Sequence, residues 1–329
     1  TIFMSYVGHS LFLPYWFVRK RGLAIGIAFS GVGAGSIILF PWLQGYILRV
    51  GWRQACWALA VILLVIVIPP NLLLQRRRPE DLGLAPDGDL ASGWHPSAHT
   101  RGDNVVDPVW AATDWTLALA VRTSRFWWLF LSYFVSLYAW YAVQVHQTKY
   151  LGDIGFAPGL AAYALGLVGL TGSVGQIILG HLSDRIGREW VWTISALGFA
   201  LCYALLLAMQ WHPTPLLLYA MIAAQGVLGY GMASVQSAIQ LELFQGKQFG
   251  RISGVLSMGA SLGAASGPWV TGALYDRMGD YQLAFAIGIV MSLISLMCVW
   301  FAAPRKVRVV AGQVARLQAR RRLEQEQVA

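Results

Sequence analysis

Along the chain, polar positions are gathered into short clusters that separate long apolar stretches. Nine stretches contain no Asp, Glu, Lys or Arg: residues 1–18, 22–48, 54–74, 126–148, 157–182, 190–211, 214–241, 252–275 and 281–303. Each approaches or exceeds the ~20 residues that a helix needs to cross a bilayer. In hydrocarbon every backbone amide must be satisfied internally, which leaves helices or a closed barrel. None of the stretches alternates apolar and polar residues as barrel strands do, so the pattern predicts helices throughout. The expected fold is all-α, a polytopic membrane helical bundle.

Composition points the same way. Apolar residues make up 57% of the chain and charged residues 12%, against roughly 25% charged in a soluble domain. Cys56, Cys202 and Cys298 all lie in or beside apolar surroundings, where a thiol acts as a small apolar group, and they imply no disulfide. Thr1 stands inside an apolar stretch with no initiating Met, charged leader or small-residue cleavage site. That stretch reads as a cut helix rather than a signal peptide.

The formal charge of +9 raises nucleic acid as a partner, and the placement of the basic residues argues against it. Numbering the polar breaks alternately puts Arg49, Arg53, Lys149 and Arg277 on one side and every other Lys and Arg on the opposite side. This is the positive-inside asymmetry, which assigns the long loop and the C-terminal tail to the cytoplasm. The expected location is therefore the cytoplasmic (inner) membrane, as a multi-pass protein with a cytoplasmic C-terminus. No folded basic domain remains to bind nucleic acid.

Residues 75–124 change in composition to Pro, Asp, Gly, His and Arg, with one apolar patch near Trp115–Val121 that suggests a short surface helix. They read as a cytoplasmic linker between residues 1–74 and residues 125–303, with 304–329 as a basic tail. The two halves repeat each other. Gly26, Gly31, Gly35, Gly51, Gln54 and Trp57 match Gly254, Gly259, Gly263, Gly279, Gln282 and Phe285 at an offset of 228, and Pro41, Trp42 and Gly45 match Pro268, Trp269 and Gly272 at 227. Duplicated helix units are a common way to build a transporter around a midplane site. The repeat also implies that roughly 100 residues, about three helices, precede Thr1 in the complete plan. The visible helices would then be the fourth to the twelfth of two six-helix halves.

Gly180-His-Leu-Ser-Asp184-Arg185-Ile-Gly187-Arg188 resembles the Gly-x-Leu-x-Asp-Arg-x-Gly-Arg signature loop of the major facilitator superfamily. The segments Trp16–Ala24 and Arg77–Leu84 are similar to segments of its monocarboxylate and oxalate/formate type transporters. The resemblance implies a gate role for Gly180, Asp184, Arg185, Gly187 and Arg188, with Asp184 near the start of the fifth helix at Gly22. It also places helices seven, eight, ten and eleven around a central cavity. The ordinary reading of the loop is a tight turn with solvated charges.

Polar side chains inside spans are costly and tend to face a cavity or another helix. In the tenth helix Gln225, Gly229, Met232, Gln236 and Gln240 follow helical steps, which puts three amides on one face. Tyr138, Tyr141, Gln144 and Thr148 form a second stripe in the seventh helix, and Gln176 stands in the eighth. These are the cavity candidates, with interhelical hydrogen bonding as the competing account. Gly31, Gly35 and Pro41, with Gly259, Gly263, Gly267 and Pro268, are read as close-packing and bending points. His9 and His146 are protonatable, although a lone membrane histidine is more often a packing residue. Lys149 reads as a snorkelling anchor. Arg316, Arg320, Arg321 and Arg322 suit a surface of anionic headgroups.

The expected function is secondary transport of a small solute by alternating access, an organic acid being one candidate, with a co-transported proton or exchanged anion. The resemblance to the organic-anion branch implies a basic residue deep in the eighth or eleventh helix, and neither has one, which counts against a carboxylate cargo. No acid stands in any visible span, so a proton-coupling acid would lie in the helices expected before Thr1. No nucleophile, paired carboxylates or metal ligands converge, so neither an enzyme nor a cofactor or metal is expected. The partners expected are the solute and the lipid bilayer, and the protein is expected to act as a monomer. Alternatives are a non-transporting receptor or scaffold on the same fold, or an inactive truncated product. The chain alone is expected not to transport.

Overall fold

The computed structural model describes residues 49–74, 76, 79–84 and 104–314, with scattered positions between 13 and 47. Among the described residues the secondary structure is helical, apart from an isolated antiparallel bridge between Val105 and Arg308. The first described span consists of α1 (Trp52–Ile62), a π-helical turn (Leu63–Val67) and α2 (Ile68–Leu74). Two short helices follow, α3 (Pro108–Ala112) and α4 (Leu117–Ala120). The remaining helices are α5 (Ser124–Asp153), α6 (Pro158–Ile186), α7 (Arg188–Met209), α8 (Pro215–Ala223), α9 (Gly231–Leu243), α10 (Phe249–Met278) and α11 (Gln282–Ala302). A second π-helical stretch, Ala224–Gly229, joins α8 to α9 within one span.

Six described helical segments are long and apolar enough to cross a membrane by length and composition. Of the nine stretches read from the sequence, residues 1–18 and 22–48 lie largely outside the described residues. Residues 252–275 form most of α10, which has 30 residues and is rich in Gly and Ser. The chain is a multi-pass membrane protein of all-α fold.

Local chemistry fixes the helix ends. Thr123 accepts the Phe126 N–H at 3.3 Å and starts α5, and Thr214, followed by Pro215, does the same for α8 through Leu217. Such caps satisfy donors that a helix start leaves open. Gly187, at φ 113°, breaks α6 from α7 in a conformation that L side chains rarely adopt.

α5 lies at the centre, packed along α10 and α11, while α7 packs on α11 and on the π stretch. The largest fully buried side chains include Trp192, Tyr133, Tyr203, Phe126 and Phe199. Tyrosine hydroxyls among them donate to backbone carbonyls of neighbouring helices: Tyr133 to Gln236 at 2.8 Å, Tyr150 to Leu206 at 2.6 Å, and Tyr203 to Ala139. A large ring thus fills volume while its one polar atom is satisfied.

The α5–α10 seam is a backbone contact. A methyl group at Gly259 would stand 2.9 Å from the Phe130 ring, and one at Gly263 or Gly267 would collide with the carbonyl oxygen of Phe134 or Tyr138. Small residues allow this approach. At Gly31 and Gly35 nothing among the described residues lies within 4 Å of a side chain built there, and Pro41 lies outside the described residues.

The end of the linker is built into the bundle. Asp107 caps α3, the Trp110 indole donates to the Leu243 carbonyl at 2.7 Å, and Trp110, Trp115 and Phe244 form an aromatic cluster. Val106 donates to the Val307 carbonyl at 2.9 Å and Val309 to that of Asn104 at 2.8 Å, which ties the linker to the segment after α11. The surface helix expected near Trp115–Val121 is α4. Arg316, Arg320, Arg321 and Arg322 lie outside the described residues.

Candidate functional site

Two polar regions stand out, one at the α6–α7 loop and one in the middle of the bundle. At the loop, Arg188 is buried, and its Nη1 lies 2.7 Å from Asp184 Oδ1 and its Nε 3.0 Å from Glu242 Oε1. Arg188 Nη1 also donates to Ser183 Oγ, whose own proton goes to the Gly180 carbonyl at 2.6 Å. Asp184 Oδ2 accepts the backbone N–H of Leu23 at 3.3 Å. One carboxylate thus joins the loop to the chain just after Gly22. Arg185 points outward and is exposed.

The segment after α11 supports this loop from the other side. Glu189 Oε1 accepts the Arg305 N–H at 2.7 Å, Gln313 Nε2 donates to the Ile186 carbonyl at 2.7 Å, and a methyl group on Gly312 would stand 2.8 Å from Arg185 Cα. The charges are therefore not those of a solvated turn. A guanidinium shared by two carboxylates in a dry site has its donors matched to acceptors, which is what makes a buried charge tolerable. Glu242, in the last turn of α9, is part of this network.

The central region is uncharged. Gln225 is fully buried, and its Nε2 donates to Gln144 Oε1 at 3.3 Å; the Tyr230 hydroxyl donates to the same oxygen at 3.2 Å. Tyr138, Gln176, Gln236 and Gln240 are buried, Gln144 and Thr148 are half-buried, and Tyr141 is exposed. Among the described residues, buried atoms without a hydrogen-bond partner include Thr148 Oγ1, Gln176 Oε1 and Gln240 Oε1, while the Tyr138 and Thr271 hydroxyls interact with each other. Gln147 is 1% exposed, and both atoms of its amide lack a partner among the described residues. Gln147 stands three residues from Gln144 in the same helix, outside the stripe read from the sequence.

The tenth-helix stripe needs a correction. The π-helical stretch at Ala224–Gly229 interrupts the helical count, so Gln225 is out of register with Gln236 and Gln240. The three amides do not form one continuous face. Glycines hold this stretch from both flanks: Gly175 abuts the Val227 carbonyl, Gly226 abuts Thr171, Gly229 lies on the Phe199 ring, and Gly198 abuts Leu228. Periodicity cannot reveal such a turn, because a single widened turn leaves the apolar pattern unbroken.

His146 bridges helices. Its Nε2 lies 3.0 Å from the Pro268 carbonyl, inside α10, and its Nδ1 lies 3.2 Å from the Tyr281 hydroxyl. A carbonyl only accepts, so Nε2 carries the proton and Nδ1 accepts from Tyr281 in the neutral ring. Lys149 binds Asp153 at 2.7 Å and the Tyr275 hydroxyl at 2.8 Å at the far end of α5. His9 lies outside the described residues. Among the described residues no group of His, Cys, Asp and Glu could hold a metal ion.

Comparison with known proteins converges on one family. A family model described as the Major Facilitator Superfamily matches residues 4–172 and 129–325. Monocarboxylate transporter 13 of Bos taurus is 26% identical over 302 residues, covering 89% of this chain and 64% of its own length. Monocarboxylate transporter 12 of Homo sapiens is 25% identical over 288 residues, covering 83% of this chain and 54% of its own. A riboflavin transporter of Trypanosoma cruzi is 24% identical over 342 residues, covering 90% and 70%. The chain thus spans 54–64% of the length of the two monocarboxylate transporters.

Proposed function

The chain belongs to the Major Facilitator Superfamily, and we propose that it is the larger part of a secondary transporter that moves a small polar solute by alternating access. The observation that carries this reading is the set of buried polar groups on α5, α6 and α9 that lack a partner among the described residues: Gln147, Thr148, Gln176 and Gln240. An unmet hydrogen bond in a dry interior costs about 1–3 kcal/mol, and intramembrane polar groups mark solute paths. A solute that supplies the missing partners makes sense of several such groups in one bundle. The paired loop of Asp184, Arg188 and Glu242 serves in this reading as a latch that holds one end of the path closed, and the loop end faces the cytoplasm of an inner membrane.

Relatives named for monocarboxylates and for riboflavin make a small organic acid or an oxygen-rich heterocycle the first solutes to test. The test is uptake into proteoliposomes by the protein with its full coding sequence, across small carboxylates, flavins, sugars and amines. Saturable uptake of one class, lost on replacing Gln147 or Gln176 with Leu, is the expected result. A protein that folds and takes up none of these classes would remove the transport reading.

A further inference from the structure

The orientation of one amide in the central region is decided by its neighbours. Tyr230 is 7% exposed, so its hydroxyl proton needs an acceptor, and Gln144 Oε1 lies 3.2 Å away. Gln225, with no exposure, directs its Nε2 to the same oxygen at 3.3 Å and takes the Cys202 thiol on its own Oε1 at 3.9 Å. Two donors therefore converge on Gln144 Oε1. Rotating the Gln144 amide by half a turn would set its –NH2 against that of Gln225, while the Tyr230 hydroxyl would change from donor to acceptor. Its –NH2 end is held facing away, and no acceptor among the described residues takes its protons.

The clamp is rigid for reasons that extend beyond these three side chains. Gln225 stands in the π-helical stretch, which is set between α6 and α7 by glycine contacts at Gly175, Gly198, Gly226 and Gly229. Such widened turns are frequent at functional sites. The Tyr230 ring lies 4.2 Å from the Trp140 ring, centre to centre, which fixes the hydroxyl direction. On the next turn of α5, the buried amide of Gln147 and the Thr148 hydroxyl have no partner among the described residues. Residues three and four apart share a helix face, so the –NH2 of Gln144, the Gln147 amide and the Thr148 hydroxyl follow one another along α5.

We propose that Gln144 is an oriented hydrogen-bond donor that binds an acceptor oxygen of the solute, a carboxylate or a carbonyl, with Gln225 and Tyr230 as its positioning residues. This rests on the transport reading for its biological use, though not for its chemistry. Recognition by a neutral amide accepts an organic acid without a buried cation, which is consistent with the uncharged centre of α5, α6 and α9. Gln147 presents both a donor and an acceptor, and it extends the site toward solutes with a second polar group.

The test follows the side-chain amide resonance of Gln144 in the 15N-glutamine-labelled full-length protein in lipid nanodiscs, with the resonance identified by its loss in Q144E. Sodium propionate and propionamide carry an acceptor oxygen, and propylammonium carries none. We expect the first two to shift the resonance saturably and the third to leave it in place. We further expect Y230F, which removes one clamp, to weaken the propionate response by roughly five- to tenfold, the effect of about one hydrogen bond. An equal response to propylammonium, or none to either acceptor probe, overturns the proposal, and both are read on the native protein whether or not Y230F folds. Binding at Gln144 without uptake of any solute would instead count against the transport reading alone.

Discussion

At the α6–α7 loop three ionised side chains, Asp184, Arg188 and Glu242, are 9% exposed or less, and each is paired. In the middle of the bundle, amides and hydroxyls equally buried stand without partners among the described residues. The more costly groups are the better satisfied, and the less costly ones are left open. Charge removed from water is tolerable only when matched, since a lone buried ion costs several kcal/mol. A neutral amide can remain unmatched at lower cost, and so it can be held ready for a solute. The loop is organised to hold its shape, and the centre is organised to lend its hydrogen bonds.

Breaking the loop should have the largest effect. Arg188→Met leaves two buried carboxylates facing each other, and we expect a loss of about 3–5 kcal/mol, read as a collapse in folded yield or a large fall in Tm. Adding Asp184→Asn and Glu242→Gln to that variant should recover part of the loss. A variant with Arg188→Met alone and an unchanged Tm would show that the loop charges do not depend on one another.

A smaller effect, opposite in sign, is expected at the centre. Gln147→Leu replaces an unpaired buried amide with an apolar group, so stability should hold or rise by about 1–3 kcal/mol, while uptake falls. Thermal denaturation and uptake measured on the same preparation check both halves of this statement. A clear loss of stability would mean that Gln147 already has its hydrogen bonds, and the contrast between the two regions would fail.

Asp184→Asn should be milder still. The amide keeps an oxygen for the Leu23 N–H but loses the charge that faces Arg188, so folding should survive with uptake slowed. Cysteine labelling at the loop end should rise if the latch loosens. Uptake and labelling both equal to wild type would leave the loop as a structural turn.

Much of this was legible in the residues. Long charge-free stretches identify the spans because the bilayer forbids unpaired backbone polarity, and Gly259, Gly263 and Gly267 identify the α10 seam because only small residues let backbones touch. The signature loop was readable as a motif. Its pairing with Glu242 was not, since that residue is 54 positions from Arg188 in the chain. At the centre, helical spacing suggested one stripe of amides in the tenth helix, and the π-helical stretch divides it. Gln225 there turns to Gln144, a partner 81 residues away.

The sequence by itself determined the solvent and the helical class, because these follow from local composition and from periods of a few residues, and it pointed to the family through the spacing within one loop motif. Tertiary structure alone decided which polar groups are spent on one another and which stay free. That choice depends on distances between side chains far apart in the chain and on one widened turn, and neither leaves a mark on hydrophobic periodicity.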